Sequence, residues 1–198
     1  KFTSSSYSLP VKIVRNAFSE GRLEIKSRLT GVVARDRILY FTEMMHKLKL
    51  KHDTRFLLEI TDRYWAAFFS QMTLAKGAFE FLQQLRQLEV EIALVTDFLS
   101  DIQYRKMIYL KIEKFFDYVV VSQETQLEKV SYQPFQLLVS RLKKASYDHI
   151  WLIGDNEQDF PRDIFNTSTK FFLSPYSKAQ VGEAKKIYDY ATLQKMIS

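Results

Sequence analysis

From Leu74 onward the chain contains four short apolar runs that end at polar turns and are separated by helical segments. The helices are predicted at Ser100–Leu110, at Gln133–Lys144 and around Tyr190–Ile197. Short apolar runs bounded by turns are typical of strands buried on both faces of a parallel sheet. The predicted strands are Ile92–Val95, Tyr118–Val121, Ile150–Ile153 and Lys170–Leu173. Strands that alternate with helices predict an α/β fold with a doubly wound parallel sheet.

The residues before Leu74 have helical spacing instead. Apolar side chains recur every three or four residues in Arg35–Leu50, and again after Asp53, which can cap the helix that follows. Val11–Val14 has a weak strand pattern. A further amphipathic helix is predicted after Gly77. The sequence therefore predicts a mainly helical region followed by an α/β region.

Composition narrows the function classes. The net charge of +6 comes from basic residues scattered in pairs and short alternations, without a recognisable nucleic-acid-binding motif. This pattern indicates a solvated surface, or attraction of an anionic phosphate substrate, and no nucleic-acid partner. The absence of cysteine excludes thiol catalysis and disulfides within the 198 residues and fits a reducing cytoplasm, where we expect the protein. No run of eighteen apolar residues occurs, so no membrane partner is expected.

Polar residues follow two of the predicted strands. Thr96 and Asp97 come directly after one, and Gly154-Asp155-Asn156 follows another, with Asp159 nearby. In doubly wound sheets, ligands bind beyond the carboxyl ends of the strands. A structural interpretation is open for each: Thr96 can cap a turn, and the acidic residues can form an Asx turn before a helix.

Taken together, these residues favour phosphate chemistry. A hydroxyl from Thr96 can bind a phosphoryl oxygen, and Lys129 can neutralise its charge. Two carboxylates on one turn, Asp155 and Asp159, can hold Mg²⁺, which prefers oxygen ligands. Such a set supports phosphoryl transfer by positioning and electrostatic stabilisation. The three histidines, in contrast, are not spaced as a metal triad.

These motifs resemble those of the haloacid-dehalogenase-like (HAD) hydrolases that carry a helical cap. LAKGAFEFLQQLRQLEVEIALVTDF resembles the segment that leads into the second motif, with Thr96 as its hydroxyl residue. Lys129 matches the lysine of the third motif, although Val130 stands where a proline is usual. IWLIGDNEQDF is similar to the fourth motif in its GDxxxD form, which contains Asp155 and Asp159.

The resemblance covers about Leu74 to Ile197 and implies a domain organisation. Residues 12–72 correspond to the helical cap, and residues 73–198 to a HAD-like, Rossmann-like core. Residues 1–11 then form an entry segment that follows a first strand. The aromatic residues of the cap are interpreted as core, with a substrate wall as the alternative; they are Tyr40, Phe41, Tyr64, Trp65, Phe68 and Phe69.

One family motif is not found in the sequence. The first motif, DxDx(T/V), ends the central first strand and supplies the aspartate nucleophile, and no such pattern occurs in the 198 residues. Asp97 and Asp101 lie beside the second motif and cannot be assumed to replace it. We expect the first strand to precede Lys1, because a sheet without its middle strand leaves the neighbouring strands unpaired. A natural variant without the motif is the alternative.

The resemblance implies a Mg²⁺-dependent phosphatase of a small phosphorylated metabolite that forms an aspartyl-phosphate intermediate. Thr96 would bind the phosphoryl oxygens with the Asp97 amide nearby, and Lys129 would stabilise the charge. Asp155 would bind Mg²⁺, with Asp159 and Asn156 completing or orienting the metal shell. The alternative is a non-catalytic module that binds phosphate. Dehalogenation is less favoured because it leaves the acidic pair without a role. The sequence identifies neither the substrate nor the oligomeric state.

Overall fold

The computed structural model describes residues 2–143, 147–161, 163–165, 168–174, 177, 184–187 and 189–197. The chain divides into two compact units, Lys1–Met72 and Thr73–Ser198. The first is helical throughout its described elements, and the second contains every strand of the described residues. Among the described residues of both units, no helix has the length and apolar character that a membrane crossing needs.

The first unit consists of four α-helices. They are α1 (Phe2–Ser6), α2 (Val11–Arg28), α3 (Arg37–Lys47) and α4 (Thr54–Phe69). The side chain of Asp36 caps α3 by accepting from the Ile38 amide at 3.0 Å. The predicted cap of α4 is confirmed, because Asp53 accepts from the Phe56 amide at 3.0 Å.

The weak strand prediction for Val11–Val14 is wrong, because these residues form the first turn of α2. The buried residues of α2 recur every three or four positions, so helix formation places them on one face; they are Val14, Ala17, Gly21 and Ile25. At Gly21 a Cβ would lie only 3.1 Å from the Met44 nitrogen. The glycine therefore permits the close approach of α2 and α3.

The first unit has a hydrophobic core of its own. Residues from α2, α3 and α4 pack in it, including Phe41, Met44 and Leu57. Of the six aromatic residues considered above, four are buried, and Phe68 is exposed. Their packing is aromatic as well as aliphatic, since the Phe41 and Tyr64 rings lie 5.8 Å apart. Within this unit most of the group is core.

The second unit is an α/β structure. Its helices are α5 (Ala78–Gln87), α6 (Ser100–Leu110), α7 (Gln133–Arg141) and α8 (Tyr190–Ile197). Its strands are β1 (Ala93–Thr96), β2 (Tyr118–Val121), β3 (His149–Gly154), β4 (Ser168–Leu173) and β5 (Lys185–Lys186). All observed pairings are parallel. The predicted fold class is confirmed, and the predicted strands lie within one or two residues of the observed ones; β5 was not predicted.

The strands form two separate parallel groups. β1 pairs with β2 in the register Ala93↔Tyr118 to Thr96↔Val121. β3 pairs with β4 in the register His149↔Ser168 to Gly154↔Leu173, and β4 pairs with β5. No pairing joins β1 to β3 in the part of the chain that the structure describes. Each of these two strands therefore has one edge without a neighbouring strand.

A cavity of about 720 Å³ lies between β1 and β3. Its lining includes consecutive residues of both strands, Ala93–Val95 and 149–154. Successive side chains of a strand point to opposite faces, so a cavity that contacts consecutive residues must meet the edge of the strand. We call this cavity the slot. Lys129, Gly154 and Asp159 also line it, so it extends to the carboxyl ends of the strands.

Candidate functional site

Thr96 ends β1, and the turn that follows is tied to the end of β2. The Phe98 amide donates to Ser122 Oγ at 2.9 Å, and the Ser100 amide donates to Gln123 Oε1 at 2.7 Å. Phe98 has φ 136°, a backbone conformation that is rare for residues other than glycine. The Gln103 side chain reaches back from α6 and donates to Thr96 Oγ1. The hydroxyl is therefore held by the helix that follows it.

Asp97 connects this turn to the lysine loop. Its Oδ1 accepts a hydrogen bond from the Lys129 backbone amide at 2.8 Å. Lys129 begins a short 3₁₀ turn, Lys129–Ser131, which precedes α7. Val130, which occupies the position of the usual proline, is exposed. The Asp97 carboxylate thus holds the lysine loop in place, a contact that sequence reasoning did not predict.

Glu124 also stabilises the carboxyl end of β2. Its carboxylate accepts from the Val121 amide at 2.9 Å and from Arg141 Nη2 at 2.7 Å. Burial raises the pKa of Glu124, but the hydrogen bonds from Arg141 and Val121 outweigh burial and hold the pKa below its usual value. The carboxylate is therefore ionised at neutral pH and fixes α7 against the turn that precedes the lysine loop.

The acidic turn follows β3. Asn156 caps a 3₁₀ turn, Glu157–Asp159, by accepting from the Gln158 amide at 3.2 Å. The Asp155 carbonyl accepts from Ser177 Oγ at 2.6 Å. Gly154 is required by the tight geometry, since a Cβ there would lie 2.8 Å from Cε1 of the buried Phe160. The turn is thus fixed from both sides.

Lys129 and Asp159 form the central contact of the site. Lys129 Nζ lies 3.1 Å from Asp159 Oδ2, and both side chains are less than one-fifth exposed. The second oxygen of Asp159 accepts from Asn156 Nδ2 at 3.2 Å. The ion pair joins the loop after β2 to the turn after β3, so residues 30 positions apart in sequence lie together. Partial burial strengthens such a pair relative to a surface ion pair.

The oxygen donors of the acidic turn have the chemistry that Mg²⁺ prefers. Mg²⁺ binds through one or two carboxylates together with water and phosphate oxygens, and it rarely uses a complete protein cage. Asp155, which is exposed, and Asp159 supply two carboxylates. Among the described residues no cluster of three or more His, Asp or Glu side chains could hold a metal alone. The donor set therefore fits Mg²⁺ in company with a phosphorylated ligand.

The structure brings most of the predicted site residues together by direct contacts. Thr96 and Asp97 are adjacent, Asp97 contacts Lys129, and Lys129 contacts Asp159. Asn156 contacts Asp159, and Asp155 precedes Asn156 on the same turn. Their roles in catalysis remain predictions. Sequence reasoning missed Gln103, because one glutamine inside an amphipathic helix carries no motif signal.

The chain is similar in sequence to two curated proteins. It is 30% identical over 143 residues to a ribulose-1,5-bisphosphate 5-phosphatase of Halopiger xanaduensis, which corresponds to 72% of this chain and 60% of that protein. It is 25% identical over 124 residues to the putative HAD-hydrolase YfnB of Bacillus subtilis, covering 62% and 52%. The chain thus spans between half and two thirds of the length of these relatives.

Solved structures share the fold. The structure of YfnB from Bacillus subtilis bound to magnesium has a TM-score of 0.61 at 18% identity, covering 98% of this chain and 87% of that one. A 2-haloacid dehalogenase from Pseudomonas syringae has a TM-score of 0.59 at 13% identity, covering 96% and 81%. At these identities the likeness concerns the fold alone.

The family follows from the sequence itself. The profile of the haloacid dehalogenase-like hydrolases matches residues 11–161, which is most of the chain and extends from the helical unit to the acidic turn. This match confirms the resemblance that the motifs around Thr96, Lys129 and Asp155 indicated. The chain belongs to the haloacid dehalogenase-like hydrolases.

Proposed function

We propose that the protein is a Mg²⁺-dependent phosphatase that acts on a small phosphorylated metabolite. The observation that carries the proposal is the ion pair between Lys129 and Asp159, 3.1 Å long, beside the turn that contains Thr96 and Asp97. A hydroxyl, an ammonium group and carboxylates at one rim of a parallel sheet suit a phosphoryl group bridged by a metal. The similarity to a ribulose-1,5-bisphosphate 5-phosphatase supports the same class of reaction.

Each site residue has a role that follows from its charge or its hydrogen-bonding group. Thr96 donates a hydrogen bond to a phosphoryl oxygen, and Lys129 stabilises the negative charge on the phosphoryl group. Asp155 and Asp159 would hold Mg²⁺, and Asn156 orients Asp159 by donating from Nδ2 to Oδ1. When bound, the metal would supply electrostatic stabilisation of the phosphoryl oxygens. The Lys129 amide is held by Asp97, which keeps the loop in position.

The slot is where a nucleophile would enter this arrangement. A strand paired with the open edges of β1 and β3 would complete one continuous parallel sheet. Its carboxyl end would lie among Lys129, Gly154 and Asp159, which line that end of the slot. An aspartate there would be placed to attack phosphorus, forming an aspartyl-phosphate while the bond from phosphorus to the substrate oxygen breaks and the alcohol leaves. Water would then hydrolyse the aspartyl-phosphate and release phosphate. The partly exposed apolar residues of β1 and β3 support this arrangement.

The acidic turn favours a phosphatase over a dehalogenase. Solved structures of both kinds share this fold, so the fold does not separate them. Dehalogenation gives Asp155 and Asp159 no charge to bind, whereas a metal-bridged phosphate uses both. We also propose that the protein acts in the cytoplasm, without a nucleic-acid or membrane partner.

Replacement of Asp155 by alanine tests the proposal. In the full-length protein, we expect Asp155→Ala to lower Mg²⁺-dependent hydrolysis of phosphomonoesters by at least about a hundredfold, because a metal ligand is lost. Hydrolysis is measured across a set of sugar and nucleoside phosphates. Asp62→Ala, which changes an exposed aspartate of α4, is the matched control. Unchanged turnover in Asp155→Ala would contradict the metal site.

Calorimetric titration with phosphate and Mg²⁺ distinguishes the phosphatase from the alternative, a non-catalytic module that binds phosphate. A non-catalytic relative would bind phosphate in a Mg²⁺-dependent manner, and Asp155→Ala would weaken that binding, but no phosphomonoester would be hydrolysed. Binding with turnover supports the enzyme. Loss of binding and turnover together, in the unaltered protein, would remove both candidates.

A further inference from the structure

Gln103 makes two contacts at the end of β1. Its Nε2 donates to Thr96 Oγ1 and also to the Asp97 backbone carbonyl, the latter at 3.0 Å. Gln103 is the fourth residue of α6 and lies at the end of its first turn, so its side chain spans from the helix to the strand end. Its Oε1 is buried and has no hydrogen-bond partner among the described residues. The amide therefore makes its contacts here through its nitrogen.

The chemistry of the partners fixes the orientation of this amide. The Asp97 carbonyl can only accept a hydrogen bond, so the atom of Gln103 that faces it must be the NH₂ group. The same group contacts Thr96, and it carries two protons, one for each acceptor. Thr96 Oγ1 is thereby an acceptor toward Gln103. Its own hydroxyl proton is left for a different acceptor.

We propose that Gln103 is a positioning residue that sets the direction of the Thr96 hydroxyl proton. With the oxygen accepting from Gln103, the proton is directed away from the amide and is available to a phosphoryl oxygen. A hydroxyl that is already oriented stabilises an anion without reorganising when the ligand arrives. The inference rests on the proposed function, because it assigns Thr96 to a phosphoryl group.

The second contact of Gln103 joins α6 to the turn that holds the lysine loop, a structural contribution that is separate from the orientation of the Thr96 proton. The Asp97 carbonyl accepts a hydrogen bond from Gln103. The Asp97 carboxylate accepts a hydrogen bond from the Lys129 amide. Lys129 in turn pairs with Asp159. One side chain of α6 therefore fixes the turn from which both the hydroxyl and the lysine loop are held.

A purely structural role is the competing interpretation. In that case Gln103 would join α6 to β1, and its replacement would weaken any ligand by loosening the turn, whether or not Thr96 has a hydroxyl. The proposed positioning role acts through the Thr96 hydroxyl, so its effect on ligand affinity disappears when that hydroxyl is removed. The two interpretations therefore differ in a double-mutant cycle between positions 103 and 96.

The experiment measures the affinity for inorganic phosphate in the presence of Mg²⁺ by calorimetry. The variants are Gln103→Met, which keeps the length but removes the donor, Thr96→Val, and the double variant. We expect Gln103→Met to weaken phosphate binding about fivefold to tenfold, the loss typical of one hydrogen bond. In the Thr96→Val background the same change should alter affinity less than about twofold. In the Thr96→Ser background, which keeps a hydroxyl, the loss should return.

Controls separate the two proposals. Gln83→Met changes an exposed glutamine of α5 and should leave phosphate affinity unchanged. Melting followed by circular dichroism checks folding, and Gln103→Leu repeats the cycle if the methionine variant is unstable. An equal loss from Gln103→Met in the Thr96 and Thr96→Val backgrounds would overturn the inference and leave the proposed function standing. Failure of the unaltered protein to bind phosphate with Mg²⁺ would overturn both.

Discussion

β1 and β3, the strands that border the slot, are less buried than the strands paired with them, β2 and β4, although each of the four contains a short apolar run. Val120 and Val121 of β2 and Leu173 of β4 are 0% exposed. No residue of β1 or β3 is fully buried. In a complete parallel sheet the order would be reversed, because central strands are covered on both faces and by neighbours on both edges. The difference therefore locates the place where the sheet is open.

In β1 and β3 the apolar residue types do not match the observed burial. Leu94, Val95 and Leu152 are residue types selected for burial, and here each is only partly covered. Their composition fits a neighbour on the open edge, whereas β2 and β4 already have the packing that their sequences suit. Apolar residues that are only partly buried thus mark the unpaired edges of β1 and β3.

The largest expected effect comes from one matched pair of substitutions on neighbouring strands. Leu173→Ala on β4 should lower the free energy of unfolding by about 3 kcal/mol, because it leaves a cavity in a buried cluster. Leu152→Ala on β3 removes the same atoms from a partly exposed site and should cost about 1 kcal/mol. Denaturant unfolding of the 198-residue chain measures both.

The pair also detects a strand in the slot. If an added segment pairs with β3, the cost of Leu152→Ala should rise toward that of Leu173→Ala, since Leu152 becomes covered. Equal costs already in the 198-residue chain would break the comparison, because they would mean that β3 is covered in solution.

A smaller effect is expected where β3 ends. Gly154→Ala places a Cβ 2.8 Å from Cε1 of Phe160, a buried ring that also packs on Phe171. The ring must move, and we expect a loss of about 2 kcal/mol in the free energy of unfolding. Adding Phe160→Leu to Gly154→Ala tests the cause. If the crowding is responsible, the second change should cost less in this background than in the unaltered chain.

The smallest effect concerns the entry to β1. The Asp117 carboxylate accepts from the Ile92 amide at 2.8 Å and from Arg86 Nη1 at 2.7 Å. Burial raises the pKa of Asp117, but the hydrogen bonds from Ile92 and Arg86 outweigh it and hold the pKa below its usual value. Asp117→Asn should therefore lower the free energy of unfolding at pH 7 by about 1 kcal/mol.

The pH dependence of that loss has a definite sign. A carboxyl whose pKa is lower in the folded state stabilises it above the unfolded pKa of about 3.9, and this contribution disappears as the pH falls through the folded value. The difference between the unaltered chain and Asp117→Asn should thus be constant from pH 5 to 7 and shrink below about pH 4. Unfolding curves at each pH would contradict the assignment if the difference grew on acidification.

Much of the fold could be predicted because periodicity reports it directly. The strand at Tyr118–Val121 and the helix at Ser100–Leu110 have the predicted bounds. Val11–Val14 was ambiguous because four residues show too little periodicity, and the buried positions further along the helix decide it. β5 consists of two lysines, Lys185 and Lys186, which carry no strand signal.

The sequence indicated which residues lie at the strand ends, but it did not indicate the hydrogen bonds that connect them. Strand ends marked Thr96 and Asp155, because a parallel sheet places such turns at one rim. The hydrogen bond from Gln103 to Thr96 and the bond from the Lys129 amide to Asp97 depend on how α6 and the lysine loop pack, which no local pattern reports. Unpaired neighbouring strands were expected from the first motif that was not found, but the sequence did not identify β1 and β3 as those strands.

The position of the Lys129–Asp159 ion pair has a mechanical consequence. Lys129 belongs to the half of the sheet formed by β1 and β2, and Asp159 to the half formed by β3 and β4. The distance between the Lys129 ammonium group and the Asp159 carboxylate therefore depends on the width of the slot between the two groups of strands. We therefore expect a bulkier or smaller side chain deep in the slot to change the distance between Lys129 Nζ and Asp159 Oδ2 without contacting either residue.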